Sequence, residues 1–243
     1  MKGSYDNQLK EWVKKEKEGV NLLKSVGTLM YDKGIELILF RKQLLEIGVS
    51  ELMNYISYAN NVVGRKNNIE TANLLANEML NLNLSPSKID IGLLTAEYIE
   101  NDEDNPVNFL ERKLAHIINT NTNENNAKDV VLFGFGRIGR LVARELIKQA
   151  GKGQQLRLKA IVVRKLDDAQ IIKRADLLKT DSVHGLFKGV IDIDLRNKSI
   201  IVNGQVIKFI DGEDPTNIDY TKHNINNALL IDNTGAFTTK ENL

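Results

Sequence analysis

An apolar run that ends in a glycine-rich turn and passes straight into a helical pattern constrains this chain more than any other feature. Val130-Val131-Leu132-Phe133 is followed by Gly134-Phe135-Gly136-Arg137-Ile138-Gly139-Arg140. Leu141, Val142, Leu146 and Ile147 then recur at helical spacing. A Gly-x-Gly-x-x-Gly in that context has a mechanical meaning. The first glycine permits the tight turn from strand to helix. The second lets the backbone approach a pyrophosphate, and the third lets the helix pack close to the strand. The backbone N–H groups of Arg137 and Ile138 then open the helix facing the anion, and the helix dipole favours negative charge there. The segment predicts a dinucleotide-binding turn.

Downstream of this turn, strand and helix alternate. Leu156–Val163 reads as a second strand, β-branched at Ile161, Val162 and Val163, after a helix over Arg137–Gln149. Gln170–Leu178 has helical spacing. Val190–Asp194, Ile200–Val202 and Val206–Phe209 read as short strands, the last two joined by Asn203-Gly204, a strong hairpin turn. Leu229–Ile231 reads as another buried strand. This alternation predicts a parallel sheet with helices on both faces.

Residues 1–118 have a different grammar, mostly helical. Leu9, Trp12, Val13, Val20 and Leu23 recur near the 3.6 period between Asp6 and Lys24, and Gly34 breaks the pattern. Ile35–Leu39 fits either a strand or a buried helical turn. Further helices are expected from Ser50 through Val62, from Thr71 to Leu80, and from Asn105-Pro106 through Phe109, Leu110, Leu114 and Ile117. Residues 119–126, all Asn, Thr or Glu, offer nothing apolar to bury, and 119–128 is expected to be an Asn/Thr-rich linker. The expected domains are therefore 1–118, helical, and 129–243, an incomplete Rossmann-type parallel-sheet domain: an α/β fold behind a helical extension.

Composition excludes several functions. There is no cysteine among the 243 residues, so neither a thiolate nucleophile nor a sulfur-ligated zinc is available. No apolar run approaches the ~18 residues of a membrane helix, and the polar N-terminus resembles no secretory signal; a cytoplasmic protein is expected. The net charge of +1 conceals an asymmetry: residues 1–129 carry 15 Lys+Arg against 19 Asp+Glu, and the remainder 18 against 13. That surplus suits phosphate binding and is too scattered for nucleic acid.

Gly-Phe-Gly-Arg-Ile-Gly-Arg at 134–140 strongly resembles the cofactor loop of glyceraldehyde-3-phosphate dehydrogenase. Asp181-Ser182-Val183-His184-Gly185, Phe187-Lys188-Gly189, Ile201-Val202-Asn203-Gly204, Glu213-Asp214-Pro215-Thr216-Asn217-Ile218 and Asn233-Thr234-Gly235-Ala236-Phe237 resemble further segments of that family in its order. The resemblance covers 130–243, and the helical part looks like the extension of the family's long bacterial form. It implies NAD or NADP as cofactor, contacted by the glycine loop, by Asn233, Thr234 and Gly235, and by Phe237 near the adenine. It also implies oxidation of an aldehyde phosphate with inorganic phosphate to 1,3-bisphosphoglycerate in glycolysis or gluconeogenesis, by a homo-oligomer. The family's catalytic cysteine would lie some tens of residues beyond Thr239, and its histidine further on; neither is in this sequence. These 243 residues would then bind cofactor without catalysis. Erythrose-4-phosphate dehydrogenase shares these motifs. A different class is a non-catalytic nucleotide-binding regulator, with the helical half as partner module.

The end of the second strand departs from the family. An NAD-selective fold places Asp or Glu there for the ribose hydroxyls. Here the strand ends Val162-Val163-Arg164-Lys165. Arg164 could bind a 2′-phosphate bidentately, which favours NADP or tolerance of both cofactors. Alternatively Arg164 and Lys165 are a solvated loop and Asp167 or Asp168 reaches the ribose. Glu213 stands where the family has an arginine near the adenine. His116 reads as a helix-surface residue, His184 as a hydrogen-bonded core histidine, and His223 as a loop residue; no His/Asp/Glu cluster has metal-ligand spacing.

Overall fold

A computed structural model describes residues 2–103, 105–120, 127–149 and 156–236. They form two compact units, divided within the Asn-rich stretch between Glu124 and Asn125.

The first unit opens with α1 (Lys2–Lys33). It runs nine residues past the Lys24 limit expected from the apolar spacing, and stops at Gly34, whose φ of +73° suits a glycine. The ammonium of Lys33 donates to the carbonyls of Leu80 and Leu82, at 2.5 and 2.8 Å, tying the end of α1 to the end of a second helix. Ile35–Leu39 is a strand, β1, flanked by the short antiparallel β2 (Lys42–Gln43) and by a parallel β3 (Ser87–Asp90). Between them come α2 (Val49–Tyr58), extended by a π-helical turn at Ala59–Val63, and α3 (Ile69–Asn81). Next in the chain are α4 (Ile91–Glu100) and α5 (Pro106–Lys113). α5 ends before Leu114, so Leu114 and Ile117 pack from the turn behind it rather than from the expected helix. Side chains cap three of these helices: Asn68, Asp90 and Asn105 accept from N–H groups of the first turn of α3, α4 and α5. The core joins Leu22, Val26 and Leu29 of α1, Leu37 of β1, Leu75 and Met79 of α3 and Phe109 of α5. The N-terminal half of α1 shares none of this. Leu9, Trp12, Val13 and Val20, four of the five apolar residues that signalled the helix, are exposed, while the fifth, Leu23, is half-buried against the core.

The second unit is built on a six-stranded sheet. Its strands are β4 (Lys128–Phe133), β5 (Leu156–Val163), β8 (Ile191–Asp194), β9 (Ser199–Val202), β10 (Gln205–Asp211) and β11 (Leu229–Asp232), in the order β11-β4-β5-β10-β9-β8. The two-residue strands β6 (Thr180–Asp181) and β7 (Gly185–Leu186) form a separate hairpin. β11, β4, β5 and β10 run parallel; β10-β9-β8 is an antiparallel meander. Asn203 and Gly204 join β9 to β10 with φ of +48° and +80°, the left-handed pair that a two-residue hairpin requires.

This sheet differs from the sequence expectation in two respects. Both helices, α6 (Arg137–Lys148) and α7 (Asp168–Lys179), contribute to one cluster, Ala143, Ile147, Ile171 and Leu178 packing with Val130, Leu132 and Ile161. The opposite face, with Val131, Phe133, Ala160 and Val162, is covered not by an α-helix but by Ile218, Ile225 and Ala228 and by Tyr220 of a short 3-10 helix (Tyr220–His223) in the segment joining β10 to β11. Leu229–Ile231 is also not a buried strand. β11 is an edge, and Leu229 and Leu230 are 40% and 41% exposed.

Candidate functional site

The parallel strands β4, β5, β10 and β11 end on one side of the sheet, and the turns beyond their carboxyl ends line a crevice of about 360 Å³. Open α/β sheets bind ligands at this edge. The turn after β4 supplies Gly134, Phe135 and Gly136; the turn after β5 supplies Arg164; Gly212 follows β10; Asn233 and Thr234 follow β11. Backbone bonds fix these turns to one another. The N–H of Gly134 donates to the Val162 carbonyl at 3.0 Å, that of Gly212 to Val163 at 3.1 Å, and that of Asn233 to Phe133 at 2.8 Å.

Each glycine of the loop has its own reason. Gly134 has φ +89°, and a Cβ there would stand 2.7 Å from Cγ2 of Thr234. Gly139 is buried, and a Cβ would meet the Gly134 carbonyl oxygen at 2.6 Å. That is contact with the loop itself rather than with the body of the strand. Gly136 is different: its φ of −71° is ordinary, and among the described residues nothing beyond its chain neighbours lies within 4 Å of where a Cβ would be. The space above Gly136 is open.

Gly136 is the N-cap of α6, and no side chain caps that helix. α7, like α3, α4 and α5, has a side-chain cap: Asp167 accepts from the N–H of Gln170 at 2.8 Å. The first turn of α6 also lacks an acidic residue, so its amides and its positive dipole end are left for an external anion.

Of the residues singled out from sequence, Gly134, Phe135, Gly136, Arg164, Asn233 and Thr234 meet around the crevice. Arg137 and Ile138 are exposed in the first turn of α6 and do not line it; Gly139 and Gly235 do not line it either. The Phe135 ring is buried edge-on against Phe209, with centroids 5.9 Å apart. Phe237 lies outside the described residues. Asp167 is engaged as a helix cap, and neither it nor Asp168 lines the crevice.

Arg174 lines the crevice, and sequence reasoning does not single it out. It lies on the face of α7 that buries Ile171, Ala175 and Leu178, and an arginine inside an apolar stripe was the available signal. Its Nη1 is buried without a hydrogen-bond partner among the described residues. Burial lowers its pKa from the usual arginine value, while the carboxylates of Asp167 and Asp211 oppose that shift.

The Asp-Ser-Val-His-Gly segment is structural. Buried Asp181 accepts from the backbone N–H groups of His184 and Val183 and from the His184 ring, which together hold its carboxyl well below the ordinary range. His184 is hydrogen-bonded as expected but is not a core residue, its side chain being 47% exposed. Beside it, the guanidinium of Arg144 donates to the carbonyls of Leu178 and Gly185 and joins α6 to the β6–β7 hairpin. His116 is exposed in the turn after α5. No group of three metal-ligating side chains occurs among the described residues, and no helix there is long and apolar enough to cross a membrane.

A strand, a glycine turn and an uncapped helix at the carboxyl edge of a mostly parallel sheet define a Rossmann-type dinucleotide-binding domain. Residues 128–240 match the family described as the NAD binding domain of glyceraldehyde 3-phosphate dehydrogenase. Residues 128–240 are thus an NAD(P)-binding domain of the glyceraldehyde-3-phosphate dehydrogenase type, a domain of an oxidoreductase family, and the chain is glyceraldehyde-3-phosphate dehydrogenase-like. It is similar to a glyceraldehyde-3-phosphate dehydrogenase-like protein of Pseudomonas aeruginosa (strain UCBPP-PA14), with 45% identity over 167 residues, 68% of this chain and 36% of that one. That match is too long for the second unit alone and extends into the helical unit. Glyceraldehyde-3-phosphate dehydrogenases of Ajellomyces capsulatus and Bacteroides fragilis (strain YCH46) are 36% and 35% identical over 44% of this chain, which is 29% of each of theirs. The chain thus spans about a third of the length of these relatives.

Proposed function

We propose that the second unit binds NAD or NADP as the cofactor domain of a phosphorylating glyceraldehyde-3-phosphate dehydrogenase. The whole protein would oxidise an aldehyde phosphate, with inorganic phosphate, in glycolysis or gluconeogenesis, and act as a homo-oligomer in the cytoplasm. The domain limits would be 1–118 for the helical extension, 119–128 for a linker and 129–243 for the cofactor domain. The observation that carries this reading is the open space over Gly136 at a helix start that no side chain caps. A pyrophosphate placed there receives N–H groups of the α6 first turn, and Asn233 and Thr234 border the same crevice. The family resemblance and the relatives' names support the aldehyde substrate.

A chain without cysteine cannot form a thioester, so these 243 residues by themselves bind cofactor and do not turn over. Incubation with glyceraldehyde 3-phosphate, phosphate and either cofactor should produce no absorbance at 340 nm; reduction above background would refute the thioester mechanism for this chain. The binding reading is tested with Gly136→Asp. Aspartate is a good helix cap, so the fold should keep its stability, while its side chain fills the open space with negative charge. Calorimetric titration should show that cofactor binding is lost. Unchanged affinity in the variant would remove the loop from the site.

A further inference from the structure

Among the described residues eleven line the crevice, and Arg164 and Arg174 are the charged ones of that set. A site that reads NAD through its ribose hydroxyls needs a carboxylate at the end of the second parallel strand. Here β5 ends at Val163 and Arg164 follows. The nearby acids do not fill that role: Asp167 caps α7, and Asp211, aligned with Val163 across the β10–β5 pair, is exposed and outside the lining. Arg174 reaches the same crevice from two turns into α7. Among the described residues neither arginine has a carboxylate within ion-pair distance, and Nη1 of Arg174 is buried with no acceptor. A buried donor without a partner is costly, and a ligand oxygen would relieve it.

We propose that Arg164 and Arg174 form a subsite for the 2′-phosphate of NADP, so that the crevice takes NADP in preference to NAD. This rests on the dinucleotide reading and adds to it the choice of cofactor. A phosphate monoester carries roughly −1.5 to −2 charges near neutral pH, which two guanidinium groups balance. Planar guanidinium forks pair with phosphate oxygens through parallel N–H bonds. At longer range the carboxylates of Asp167 and Asp211 oppose, without cancelling, the lowering that burial imposes on the Arg174 pKa. With NAD the two arginines face only hydroxyls, and the Arg174 donor gains no anionic acceptor.

The test measures Kd for NADP and NAD on the 243-residue chain and on Arg174→Met and Arg164→Met. The parent chain should bind NADP at least about tenfold more tightly than NAD. Arg174→Met should weaken NADP about tenfold to hundredfold, the range for lost hydrogen bonds to a charged group, and change NAD less than about threefold. Arg164→Met, at an exposed position that the fold does not need, should weaken NADP in the same selective way. It carries the test alone if Arg174→Met does not fold. Equal binding of the two cofactors by the parent chain, or equal loss of both in the variants, overturns the subsite and leaves the dinucleotide reading standing. Absence of binding for both cofactors in the parent chain overturns the two together.

Discussion

At the scale of single residues, the three loop glycines make separable demands. Gly139 sits where a Cβ would press on a backbone oxygen at 2.6 Å, which a side-chain rotation cannot relieve. Alanine is the better helix former by about 1 kcal/mol, but forcing atoms into a filled backbone contact costs more. Gly139→Ala should therefore lower unfolding stability by about 1–2 kcal/mol. Urea denaturation checks this, and a variant as stable as the parent would show that the α6–turn contact is slack. Gly136 carries no such packing constraint, so its substitution reports on the ligand rather than on the fold. The same residue-level reading separates Phe135 into two parts. Its ring belongs to the core, against Phe209, while its place in the turn puts it on the crevice wall.

At the scale of elements, helix starts divide by what satisfies them. Asn68 caps α3 through a 2.7 Å bond from the Thr71 N–H, and α3 contributes Leu75 and Met79 to the first core. Asn68→Ala should cost about 1 kcal/mol of stability, read as a lower thermal midpoint, with cofactor affinity unchanged. A loss of cofactor affinity in that variant would contradict the placing of the site in the second unit. Elements with a local signal can be read directly from the chain. β5 lies at Leu156–Val163 as expected, because its apolar, β-branched run states its own conformation; the Asn203-Gly204 hairpin does the same. β3 has no such signal: only Ile89 of Ser87–Asp90 is buried, and the strand exists because it pairs with β1, some fifty residues away in sequence. The far end of α1 is equally hidden, because Ser25, Gly27 and Thr28 interrupt the apolar spacing that tertiary contacts with α3 override. The site divides in the same way. The glycine turn is a local pattern. Local spacing marks Arg174 only as an arginine within the apolar stripe of α7; which crevice it reaches is set by the course of α7 back along the sheet.

At the scale of the whole molecule, the two units have separate cores and opposite charge balance. The second combines a phosphate-ready helix start with two arginines on one crevice. The central claim is that the amides opening α6 receive the cofactor's pyrophosphate. The most direct test is an amide NMR titration of the 243-residue chain with NADP. The largest saturable shifts should fall at Gly136, Arg137, Ile138 and Gly139, with the amides of the first unit unmoved. Saturable binding that leaves those four amides unshifted, or that shifts residues of the first unit instead, would contradict it.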